Sequence, residues 1–214
     1  MTSNNPVPWE SLETRSSTAF IVGGALWLGF TVYNLLKVMN VVVEPPTIVN
    51  DALILGGFLA AFLGLFGFYF QVADDSPRLA RGGAVIAAIG AIALPVDRGV
   101  ALFTSLTEGT PFGEVTTGLE PLYMVTFFGA VIAFLLFGTA SLRAHTPSRT
   151  VGLLLVVPPV MLLTYLFGGA FVSWSGFVLV VWAVIAVGWL ALGHRLRTEG
   201  IATDSAAATA DSPA

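Results

Sequence analysis

In this chain of 214 residues, 56% are hydrophobic and only 10% charged, and the mean hydropathy is +0.86. That places it outside the soluble globular class, in which about a quarter of residues are charged. A net charge of −4 with 9 basic residues provides no basic face to track nucleic acid. The absence of cysteine excludes disulfides, thiolate metal ligands and thiol nucleophiles.

Six apolar runs follow one another along the chain, each about long enough to cross a bilayer. Residues 1–17 form a polar N-terminal segment containing Pro6 and Pro8. The first run, about 18–38, follows Ser16 and Ser17, good helix-capping residue types. It is too long for a signal-peptide core and no small-residue cleavage site follows, so it is expected to remain as an anchor. Asn34, Lys37 and Asn40 lie toward its far end. After Glu44-Pro45-Pro46, a second run covers about 51–72. Gly56, Ala60 and Gly64 recur there at every fourth position, a spacing that lets helix backbones approach closely in lipid.

The polar turn Asp74-Asp75-Ser76-Pro77-Arg78 precedes the third run, about 81–106, and a loop carrying Glu108 and Glu114 follows it. The fourth run, about 119–142, opens with Glu120-Pro121. Arg143, His145 and Arg149 make a short basic connection to the fifth, about 150–169, which contains Pro158 and Pro159. The sixth, about 175–192, is closed by His194, Arg195 and Arg197. Residues 18–197 thus read as one membrane domain, and residues 198–214 as a polar, acidic, disordered tail. The expected fold is an all-α polytopic bundle of six transmembrane helices.

Six spans put Arg15, Arg78, Arg81, Arg143, Arg149, Arg195 and Arg197 on one face and leave Lys37 and Arg98 on the other. Basic residues in short loops mark the cytoplasmic side, so both termini are expected inside the cell membrane.

The third run carries the feature most open to function. Gly83, Ala87, Ala91, Pro95 and Gly99 recur at every fourth position, with Arg98 near the upper end of that strip. Asp97 points to nearly the opposite side, among Gly90 and Ala93. Small residues on both flanks predict a helix at the centre of the bundle. Neighbouring residues on a helix do not face each other, so partners are expected from other helices. Arg98 would pair with Glu120 or Asp51, and Lys37 with Asp97. At 1.5 Å per residue from Arg81, Asp97 stands about 24 Å up, in the outer third of a core about 30 Å thick. Asn34, Lys37, Asp51, Glu120 and Tyr123 fall near the same level, so all seven form one external polar layer.

A charge inside a span is costly and by default suggests function. Snorkelling and helix capping explain Lys37, Asp51 and Glu120 without it, and the structural role is preferred. Pro158 and Pro159 free backbone carbonyls and are a candidate hinge, as in the broken helices of transporters. His145 and His194 fall outside the spans, where they cannot ligate a haem across the bundle. Ser173 has no histidine on its side to activate it. No metal-ligand spacing, phosphate loop or triad is present, so no cofactor is expected.

The sequence therefore predicts a non-catalytic accessory or scaffold protein. Its partners would be the bilayer and, within it, other membrane proteins or further copies of the chain. A small transporter or channel with an external vestibule around Asp97 and Arg98 is the alternative. An intramembrane enzyme acting on a lipid or isoprenoid through Asp97, Glu120 and Tyr123 comes third.

Overall fold

The computed structural model describes residues 8–41, 47–108, 115, 118–119, 121–144, 148–168 and 175–210, and the side chains among them except at 8–14, 47–48, 175 and 200–210. These residues form six α-helices: α1 (Pro8–Val38), α2 (Thr47–Val72), α3 (Pro77–Glu108), α4 (Pro121–Ala144), α5 (Arg149–Gly168) and α6 (Ser175–Ala210). All six contain segments long and apolar enough to span a membrane. The all-α architecture is the one read from hydropathy.

Local chemistry sets the helix ends. Pro8, Pro77 and Pro121 each begin a helix, where the ring's fixed φ suits the first turn and its missing N–H would have had no partner. α1 ends in a Schellman motif. Asn40 adopts a positive φ of 55°, its N–H donates to the Lys37 carbonyl, and the Val41 N–H donates to that of Leu36.

Several helices outrun the apolar runs that announced them. α1 begins at Pro8 rather than near residue 18, and α6 continues to Ala210 through a stretch expected to be disordered. Hydropathy marks only the part matched to lipid, whereas backbone hydrogen bonding continues wherever propensity allows. Ala206, Ala207, Ala208 and Ala210 are the best of helix formers.

The helices pack as a ring. α1 lies between α2 and α6, α5 between α6 and α4, and α3 between α4 and α2, while α2 also reaches α4 across the middle. Glycines permit the closest crossings. A Cβ on Gly193 would stand 2.6 Å from the Ser17 carbonyl oxygen, and one on Gly24 would stand 2.8 Å from the Leu190 nitrogen. At these points α1 and α6 touch backbone to backbone. Two hydroxyls add interhelical hydrogen bonds, both to glycine carbonyls: Ser16 Oγ donates to Gly64 at 2.9 Å, and Thr126 Oγ1 to Gly90 at 3.0 Å. Such bonds hold helices together where water cannot compete.

α3 lies at the edge of the bundle rather than at its centre. It packs on α4 and α2, and the side bearing Val85, Ile89, Ile92, Val96, Val100 and Phe103 is exposed. Its buried seam is Ala80, Gly83, Ala87, Gly90, Leu94, Asp97 and Ala101, with Ala93 beside it. The seam alternates three- and four-residue steps, which keeps it within an arc of about 100°. Steps of four alone drift about 40° each. The strip from Gly83 to Gly99 therefore winds off the contact face, and a Cβ on Gly99 would meet nothing within 4 Å.

The interior is aromatic. Trp182 meets Phe30, which meets Trp27, which meets Trp189 at a centroid distance of 5.3 Å. Trp189 stacks on Phe134 at 5.8 Å and 13°, and Phe134 meets Phe20. Phe58 joins Trp27 and Trp189 from the side. This column, drawn from α1, α2, α4 and α6, fills the space between the helices. Trp27 and Trp189 are both buried and belong to it.

Candidate functional site

Asp51, Asp97 and Arg98 come together where the start of α2 meets the C-terminal half of α3. Arg98 Nη1 stands 3.3 Å from Asp51 Oδ2, and Nη2 stands 3.0 Å from Asp97 Oδ2. The expected Arg98–Asp51 contact is thus present. The expectation that Asp97 and Arg98 would not pair with each other is corrected. They lie about 100° apart on the helix, but the long arginine stem folds back, so that the guanidinium hydrogen-bonds to Asp51 and stands in ion-pair contact with Asp97.

The environments differ sharply. Asp97 is 2% exposed, set into the α3 seam beside Ala93, Leu94 and Ala101. The side chains of Arg98 and Asp51 are 30% and 26% exposed. Arg98 therefore carries its charge from a dry seam toward the surface, much as arginines snorkel near membrane boundaries. Two carboxylates face one guanidinium. The contact ties α2 to α3, a pair with less shared surface than α3 and α4.

Of the rest of the anticipated polar layer, Tyr123 lies beside this cluster, whereas Asn34 and Lys37 are engaged or exposed elsewhere. Asn34 Nδ2 donates to the Phe30 carbonyl at 2.8 Å and to Asn50 Oδ1 at 3.0 Å, linking α1 to α2 away from Arg98. Lys37 is exposed in the last turn of α1, and the expected pair with Asp97 does not form. The reason is topological: α1 packs on α2 and α6, with α3 beyond α2. Tyr123 is partly buried against the core and lies within electrostatic range of Arg98, Asp51 and Tyr165. Glu120, like His145 and Ser173, lies outside the described residues. Pro158 and Pro159 are buried in α5, which continues as a helix through both.

Sequence reasoning overlooked Asn50, the partner of Asn34. It also overlooked Thr126 and read Ser16, which lies inside α1, as a helix cap, although both hydroxyls cross between helices. A polar residue at a helix position that otherwise faces neighbours was the available signal, and Thr126 opens the buried face of α4, followed by Phe127, Gly129 and Ala130. The indole N–H groups of Trp27 and Trp189 are buried without an acceptor among the described residues. Leaving such a donor unpaired costs about 1–3 kcal/mol, which the surrounding ring contacts must offset. Among the described residues no three His, Asp or Glu side chains converge as metal ligands. No protein-family model, curated protein or solved structure matches this chain.

Proposed function

We propose that the protein is a non-catalytic accessory or scaffold component of the cell membrane, threaded six times with both termini on the cytoplasmic side. The aromatic column carries this reading. The space that a permeation path would need is occupied by Phe20, Phe134 and Trp189, all fully buried. The charged groups support it too, because Arg98 is already engaged by Asp51 and Asp97. A transporter built on the external polar layer requires a route past these rings. An intramembrane enzyme requires two of Asp97, Glu120 and Tyr123 around a common cavity.

The test is purification from native membranes after chemical cross-linking, with Asp97→Asn alongside the wild type. A scaffold retains a stoichiometric membrane partner, and the variant retains it as well. Solute flux in proteoliposomes that disappears in the variant would overturn the proposal. Threading can be tested separately, since the chain has no cysteine and single-cysteine labelling needs no background removal. With Thr107 and Thr198 both exposed, an impermeant maleimide should label Thr107→Cys in intact cells and Thr198→Cys only after permeabilisation. The reverse pattern would invert the assignment.

A further inference from the structure

An open groove of about 390 Å³ lies between α5 and α6, lined by Leu154, Val157, Val180, Val184, Gly188 and Ala191 among other apolar residues. It exists because Gly188 contributes no side chain opposite Pro158: a Cβ there would only just reach the proline ring, at 3.7 Å. Val180 and Val187 on its rim are 56% and 59% exposed, so no described helix of this chain covers it.

Its position selects the occupant. The lining residues of α6 from Val180 to Ala191 follow three- and four-residue steps, and the same steps continue to His194 and Thr198, with Arg195 alongside. All three are exposed. Leu154 on α5 continues in the same way to Thr150, also exposed. Glu199, one turn beyond Arg195 on α6, accepts a hydrogen bond from Ser148 Oγ at 2.8 Å, which turns its carboxylate toward the start of α5. The apolar trough therefore begins one turn from a cationic and hydroxyl-bearing end. From Ala191 back to Val180 it measures about 17 Å at 1.5 Å per residue. That is close to the depth of one leaflet, half of a core about 30 Å thick. A second transmembrane helix would engage the full span and would have no use for the charge at one end.

We infer that the α5–α6 groove is a binding site for an anionic phospholipid, with an acyl chain against Gly188 and the phosphate held by Arg195 and His194. Basic pockets between helices at a membrane face hold anionic headgroups by this combination of a fixed charge and a dry trough. The inference is independent of the scaffold reading, since any six-span protein could carry such a site.

Native mass spectrometry of the purified protein, titrated with phosphatidylglycerol or phosphatidylcholine of identical chains, tests it. The wild type should favour phosphatidylglycerol by about fivefold or more, the worth of one basic residue beside an anionic headgroup. R195Q with H194Q should bring that ratio to about one while leaving chain binding intact. Gly188→Leu should abolish retention of both lipids, and Ala191→Leu provides the same block should the first variant not fold. Equal binding of the two lipids by the wild type would overturn the inference, as would a preference that survives R195Q with H194Q. If Gly188→Leu instead converts a dimer to a monomer with lipid retention unchanged, the groove is an interface between copies and the lipid site is refuted.

Discussion

Replacing Arg98 with methionine keeps the unbranched stem and removes the guanidinium that faces both Asp51 and Asp97. Asp97, 2% exposed, then keeps its burial but loses the cation 3.0 Å away. Removing one partner from a buried charge pair costs about 3–5 kcal/mol, while an exposed pair is worth less than about 1 kcal/mol. Arg98 and Asp51 are about a quarter to a third exposed, so the lower end of the first range applies, about 3 kcal/mol. Asp51→Asn leaves Arg98 paired with Asp97 and should cost no more than about 1 kcal/mol. Asp97→Asn preserves shape, relieves the deepest charge and leaves the Arg98–Asp51 contact, so it should fall between the two. The charge count further requires that Arg98→Met combined with Asp97→Asn cost less than the sum of the separate changes, because the second removes the anion that the first exposes. Unfolding by SDS titration in mixed micelles, followed by helical circular dichroism, measures all four. The reasoning fails if Arg98→Met is no more destabilising than Asp51→Asn, or if the double variant is simply additive.

Four further outcomes follow from the packing. Gly193→Ala should destabilise by about 1–3 kcal/mol, since the methyl would stand 2.6 Å from the Ser17 carbonyl oxygen and neither backbone yields easily. Gly99→Ala meets nothing within 4 Å and should be neutral or stabilising by up to about 1 kcal/mol; the same SDS titration should separate the two, and equal effects would contradict the close α1–α6 contact. Thr126→Val removes the hydroxyl bonded to the Gly90 carbonyl at 3.0 Å with little change of shape, so a loss of about 0.6 kcal/mol is expected in the same assay. Alanine in place of both Pro158 and Pro159 should leave helix content by circular dichroism unchanged, because α5 is already continuous through them; a large gain in helicity would instead identify a broken helix.

The registers of α3 show where legibility stopped. The small residues were visible, and so was their role in close approach. Which of them form the contact depends on whether the helix follows straight geometry or a repeat of seven, and several overlapping strips fit one sequence. Only the positions of α2 and α4 select Gly83, Gly90 and Asp97 over Ala91, Pro95 and Gly99. The pairing of Asp97 with Arg98 was missed for a related reason. Helical geometry fixes where the Cβ atoms point, whereas an arginine with a long flexible stem is placed by whatever surrounds it. Arg98–Asp51 was foreseeable because both groups fall at one depth, and depth follows directly from residue count. Lys37 satisfied the same depth argument and still found no aspartate, since depth says nothing about which helices are neighbours.

The sequence alone determined that the chain folds as six apolar helices, because the hydrophobic requirement of a span is local and every backbone polar group in lipid must be satisfied within its own helix. It also showed the small residues available for contact. The order of helices around the ring, the aromatic column that closes its interior, and the meeting of Asp51, Asp97 and Arg98 were decided only by tertiary structure. Those features depend on contacts between residues far apart in the chain, such as Asp51 and Arg98 or Trp27 and Trp189, and no local pattern encodes which helices become neighbours.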